Sequence, residues 1–294
     1  MKILIALLII SILGNLFGLF VLYKFMQKRA YVAELENRLT AKDRVLDRVG
    51  EKLPERLVFL HHSCGQNWLG DGLKDSLLAS GVSVQSITYG CPLGEDTDMN
   101  HWVPKFTNQM NEIIRFDNLT SDNLSPDAEA DIVMFKSCYP NSDIVSEGAK
   151  IGNPTEPVKT LSNYRATFDS LQTLFAQHPE KKFLYITAPP LVPAATNPEN
   201  AARAREFNNW VKSEFVDQYH KQTGLDNFYV FDFFDFLADS DNVLKQDFRR
   251  SENDSHPNRK GNLGATQAFM KFLRENNLIG AKIQMARVSS RQTS

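Results

Sequence analysis

Five short runs of branched and aromatic residues alternate along the chain with longer stretches of helical periodicity, and this alternation limits the fold more than any other feature. The runs are Leu57–Leu60, Val82–Tyr89, Ile132–Lys136, Phe183–Thr187 and Phe228–Phe231. The helical patterns are Trp68–Ala79, Lys105–Phe116, Leu161–Phe175, Ala201–His220 and Lys260–Asn276. Strands separated by helices imply crossover connections, hence a parallel sheet covered on both faces. The expected fold class is α/β: a three-layer α/β/α sandwich around a five-stranded parallel sheet. The connections over 90–104, 117–130 and 141–160 are long and polar, as functional loops often are.

Composition agrees with one such domain. The chain is 42% hydrophobic and 23% charged, which argues against disorder. A formal net charge of -2 offers no basic footprint, so no nucleic-acid partner is expected. Residues 3–23 carry no charge, and as a helix they would extend about 30 Å, the depth of a bilayer core. No cleavage-site pattern of small residues follows, so the expectation is an uncleaved single-pass anchor rather than a signal peptide. The organisation read from this is an anchor with basic flank over 1–29, a helical stalk over 30–52, the α/β domain over 53–285 and a frayed tail over 286–294. Leu39, Leu46 and Leu53 are seven apart, with Leu35 and Val49 at the complementary heptad position. Two heptads offer a route to dimerisation, although a solvated helix is the plainer expectation.

In an open parallel sheet, ligands bind beyond the carboxyl ends of the strands. The chain places its polar clusters there. His61, His62, Ser63, Cys64 and Gly65 follow the first run, and Gly90 and Cys91 follow the second. Ser137, Cys138, Tyr139, Pro140 and Asn141 follow the third, and "ENDSHPNRKGN" (252–262) precedes the last helix. A serine at a strand-to-helix turn presents its hydroxyl beside backbone N–H groups that can hold an oxyanion. It also commonly caps a helix. A catalytic serine needs a base that is itself oriented by a third group, and His256 is the candidate base. Asn141 supplies a side-chain amide, and Gly90 a backbone N–H that no side chain crowds.

Together these residues resemble the SGNH (GDSL-like) hydrolase family over about 57–276. "HHSCGQNW" stands where the family has its serine block, "CYPNSD" where it has its asparagine block, and "NDSHPN" where it has its histidine block. "TAPPL" after the fourth strand is also similar. The resemblance implies a flavodoxin-like sheet, Ser63 as nucleophile, His256 as base, and Gly90, Asn141 and the Ser63 N–H as oxyanion donors, with Gly94 competing for the glycine position. It implies no metal and no organic cofactor. The family block has Asp three residues before its histidine, where this chain has Asn253; Asp254 is two before. Asp254, Asn253 or a backbone carbonyl could therefore orient the imidazole, and Asp254 is preferred. The family strand order would also place Cys64 between Cys91 and Cys138, able to pair with either in an oxidising compartment.

Other readings share these residues. Cys64 beside a histidine could itself be a nucleophile, but neighbouring side chains diverge at such a turn and the family position favours Ser63. Six His and Cys residues could gather a metal, yet none of them shows a zinc-motif spacing. His101 and Trp102 could line a substrate cleft. The fold could also serve as a non-catalytic binding module. The expected activity is hydrolysis of a small acyl ester on a carbohydrate or lipid. Acyl transfer to a cell-envelope polysaccharide is the alternative. Lys24, Lys28 and Arg29 would hold the body in the cytoplasm. The resemblance to anchored envelope enzymes points the other way, and an extracytoplasmic body is the expectation.

Overall fold

The structure is a computed structural model that describes residues 55–120, 123–125 and 128–279. The proposed membrane span, stalk and terminal tail lie outside the described residues, and among the described residues no helix is long and apolar enough to cross a membrane.

Five parallel strands form the sheet: β1 (Glu55–Leu60), β2 (Val82–Ile87), β3 (Ile132–Phe135), β4 (Lys182–Ile186) and β5 (Phe228–Phe231). Their order is β2-β1-β3-β4-β5. β1 is interior, with Leu57 and Leu60 in register with Val84 and Ile87 on one side and with Ile132 and Phe135 on the other. Successive side chains of a strand point to opposite faces. Val58 and Leu60 accordingly join an aromatic-rich layer, and Leu57 and Phe59 join the opposite one. All four are fully buried. Burial of each such side chain stabilises the fold by about 1.5–3 kcal/mol.

The first face is covered by α3 (Trp102–Arg115), α4 (Leu161–Ala176), α5 (Pro198–Trp210) and α6 (Val216–Thr223). The second is covered by α1 (Ser63–Trp68), α2 (Lys74–Ala79) and α8 (Arg259–Glu275), with the short α7 (Phe233–Leu237) between β5 and the hairpin. The first helix begins at Ser63 rather than at Trp68, because the polar opening "SCGQN" carries no apolar period to announce it. A π-helical segment, Leu69–Leu73, separates α1 from α2 and holds Gly72 at φ 124°. The stretch expected as one helix over 201–220 is likewise interrupted by a π-helical segment, Val211–Phe215.

Two polar links tie the beginning of the domain to its end. Trp68 Nε1 donates to Thr266 Oγ1 at 3.0 Å, and Asn262 Nδ2 donates to Asp71 at 2.8 Å. They fix α1 and its continuation against α8. Ahead of α8 lies a hairpin that the sequence pattern did not show, β6 (Arg249–Ser251) paired antiparallel with β7 (Asp254–Pro257). Its strands are too short and polar to register as alternating runs. His256, expected at a loop–helix junction, is therefore on a strand, and Asn258 rather than Pro257 caps the helix by accepting the Gly261 N–H at 3.1 Å.

Candidate active site

β1 ends at Leu60, and the chain turns at His61 and His62 directly into α1, whose first residue is Ser63. The turn is held by both histidines. His61 is fully buried; its Nδ1–H donates to the His62 carbonyl at 2.9 Å and its Nε2 accepts from Ser86 Oγ at 2.8 Å. Burial lowers its pKa to about 4, so the ring is neutral. Gly65 packs against that ring with no room for a Cβ. His62 Nε2–H donates to the Gly94 carbonyl at 2.7 Å, and its ring stacks on Tyr89 at 3.9 Å between centroids. Both histidines thus secure the turn, and the Ser63 hydroxyl is left at the sheet edge.

The Ser63 hydroxyl donates to His256 Nε2 at 2.8 Å. His256 Nδ1–H donates to Asp254 Oδ1 at 2.6 Å, and the same oxygen accepts the His256 backbone N–H at 2.9 Å. Strand geometry explains the spacing of two: residues i and i+2 share a face, so Asp254 and His256 point the same way. Ser255 points the other way, is buried, and accepts the Val192 N–H at 3.1 Å. Asn253 is an exposed hairpin residue and takes no part in this contact. Partial burial pushes the Asp254 carboxyl upward, but its hydrogen bonds to His256 and the charges nearby outweigh that and hold it below the ordinary carboxylate value. The Tyr139 ring meets the His256 ring edge-on at 4.9 Å and 82°. Tyr139 carried no sequence signal beyond its place after the third strand.

The other expected donors are engaged elsewhere. The Gly90 N–H donates to Glu95 Oε1 at 3.1 Å, and the Gly94 N–H to the Cys91 carbonyl at 2.8 Å. Asn141 is buried, and its Nδ2 donates to Asp98 Oδ1 at 2.7 Å and to the Cys138 carbonyl at 3.3 Å, while Oδ1 accepts the Met99 N–H at 3.0 Å. Its amide therefore ties the turn after β3 to the 98–101 segment. The Ser63 N–H belongs to the first helical turn, which has no intrahelical acceptor. Trp102 does not line a cleft: it is fully buried and its Nε1 donates to Ser137 Oγ at 2.9 Å. His101 is spent locally, its Nδ1 accepting the Asp98 N–H at 3.3 Å.

The three cysteines are free thiols. Cys64 and Cys138 meet at 3.2 Å between sulfurs, and Cys138 Sγ lies 3.3 Å from Ser63 Oγ. Cys64 pairs with Cys138, and it is Ser63, not Cys64, that is hydrogen-bonded to His256. The pair titrates as a unit. Its easier proton is lost from Cys138, which is drawn down first by its hydrogen bond with Cys64 and further by the Lys136 ammonium, while burial pushes Cys64 up. Lys136 is buried and donates to the Ser137 carbonyl at 2.8 Å.

The sheet order, the serine at the first strand–helix turn, and the histidine and carboxylate just before the last helix fit an α/β fold of the SGNH-like type. Solved structures of that type are similar to the chain. A GDSL-like lipase from Bacteroides thetaiotaomicron matches with a TM-score of 0.45 and 12% identity, over 82% of this chain and 97% of that one. A family two carbohydrate esterase from Clostridium thermocellum matches with a TM-score of 0.43 and 9% identity, over 77% and 65%. The periplasmic domain of a lipopolysaccharide acetyltransferase from Salmonella ser. Paratyphi A gives a TM-score of 0.38 and 10% identity, over 76% and 85%. No protein-family model matches the chain, and no curated protein matches it.

Proposed function

We propose that the chain is a serine ester hydrolase, and the observation that carries the reading is the continuous hydrogen-bond relay from Ser63 through His256 to Asp254. Ser63 Oγ attacks the acyl carbon as its proton moves to His256 Nε2. The imidazolium then protonates the departing alcohol, leaving an acyl-serine. Water attacks the acyl group, His256 takes its proton, and Ser63 regains its hydrogen as the acid departs. Asp254 stays ionised throughout, fixing the Nδ1–H tautomer and stabilising the imidazolium. The Ser63 N–H faces the developing oxyanion, and the Gly90 and Asn141 donors join it by exchanging their present acceptors for the substrate oxygen.

The substrate class that suits this reading is a small acyl ester of a carbohydrate or lipid, processed by a domain anchored through residues 3–23 on the extracytoplasmic side. Acyl transfer would use the same first half-reaction, with an alcohol in place of water. Labelling by a fluorophosphonate probe, followed by a chromogenic ester panel, tests the reading. Wild type labels and turns over; Ser63→Ala does neither, losing about three orders of magnitude or more in kcat/KM. Equal turnover in both proteins overturns the mechanism. A folded wild type that neither labels nor turns over favours a binding module. Product made only when a sugar alcohol is present marks a transferase.

A further inference from the structure

Beside the relay lies a second constellation that ester chemistry does not use. Cys64 Sγ, Cys138 Sγ and His256 Nε2 all lie within 4.8 Å of one another. They come from three separate places, the first turn of α1, the turn after β3, and β7. That is why no local spacing in the sequence announces them. We propose that these three atoms form a binding site for one Zn2+ ion, and that its occupation silences Ser63.

The geometry suits a borderline-soft, tetrahedral cation. Zinc bonds of about 2.3 Å to sulfur and 2.0 Å to nitrogen place neighbouring ligands roughly 3.3–3.8 Å apart. The sulfurs stand at 3.2 Å, so they need to open by only about half an ångström to reach that spacing. Ser63 Oγ, 3.3 Å from Cys138 Sγ and 2.8 Å from His256 Nε2, sets an oxygen beside two of the three ligands, and it or a water would supply the fourth. The supporting shell is present as well. Metal-binding histidines usually donate their other ring N–H to a carboxylate, and His256 does so to Asp254 at 2.6 Å. Two thiolates balance the charge of the ion. On binding, any thiol still protonated releases its proton to solvent and both sulfurs form metal–sulfur bonds, while His256 Nε2 contributes its lone pair. That is the lone pair the Ser63 proton must reach, so metal and catalysis exclude one another.

Binding stands apart from the ester reading; the silencing rests on it. The test uses full-length, reduced, metal-free protein titrated with Zn2+ against a chromophoric chelator, and with Co2+ followed by absorbance. The expected result is one Zn2+ per chain and thiolate-to-cobalt charge-transfer absorption. Cys138→Ala and the conservative Cys138→Ser should weaken binding about 100-fold or more, with melting cooperative in both. Cys91→Ala should bind as wild type. In the ester assay, Zn2+ should stop wild type, a chelator should restore it, and Cys138→Ala should resist. No stoichiometric binding in wild type, or binding that survives the double change Cys64→Ala/Cys138→Ala, overturns the proposal. Binding that behaves as stated in a protein with no ester activity leaves the metal site standing and removes the ester reading instead.

Discussion

Ser63 opens a helix just beyond a strand whose last four residues are sealed between two apolar layers, whereas His256 stands on a two-stranded hairpin whose β6 half is exposed at Arg250 and Ser251. The serine end is set by packing: β1 is flanked by strands on both sides, and Trp68, five residues beyond Ser63, is buried against Phe233 and Phe269. The histidine end is set by directed hydrogen bonds. Asn258 Nδ2 donates to the carbonyls of Asp247 at 2.9 Å and Arg249 at 3.0 Å, and Arg249 Nε donates to the Leu244 carbonyl at 2.8 Å. Apolar burial is non-directional and tolerates small shifts, while a hydrogen bond must be well aimed. The molecule uses packing to fix where Ser63 is and polar contacts to aim His256 at it.

That contrast can be broken from either end. The largest expected effect is on the relay: Asp254→Ala should lower kcat by about 10²–10⁴-fold with an unchanged melting profile. Full activity in that variant would mean that another group orients His256. Next is the pH response of the serine end. His61 titrates at about 4 when folded and near 6.5 when unfolded, so its neutral form is favoured by folding. The associated stability is fully present above pH 6.5 and is lost as pH falls towards 4, by about 3 kcal/mol. Urea unfolding across this window should show the slope, and His61→Gln should flatten it. Gly65→Ala places a methyl group against the buried His61 ring and should destabilise by about 1–3 kcal/mol, read in the urea midpoint. The smallest effect belongs to the hairpin. Asn258→Ala removes a helix cap and should cost about 1 kcal/mol. Because it also frees β6, kcat should fall more than stability suggests; a kcat equal to wild type would show that the hairpin does not aim His256.

The sheet was legible because its strands are buried on both faces and read as continuous apolar runs, as at Leu57–Leu60 and Ile132–Phe135. Ser63 and His256 were legible because each is a reactive type at a strand-end or helix-start position. Asp254 was only one of three candidates, since the strand that gives the spacing of two its meaning is itself too short to see. The contact of Cys138 with Ser63 arises when β1 and β3 pair across 75 residues of sequence, and that of Tyr139 with His256 when the β6–β7 hairpin docks beside them, so no pattern within any one segment encodes either. Asn141 sits after β3 as expected, but its contacts with Asp98 and Met99, which occupy its amide, come from a segment about 40 residues earlier and leave no trace in the sequence pattern.

The hydrogen bond from Ser63 to His256 joins residues 193 positions apart, and the links from Trp68 to Thr266 and from Asn262 to Asp71 span as much. During synthesis Ser63 therefore leaves the ribosome long before His256 exists. Every strand of the five-stranded sheet is made before His256, and the Ser63–His256–Asp254 relay can close only when the hairpin and the final helix dock.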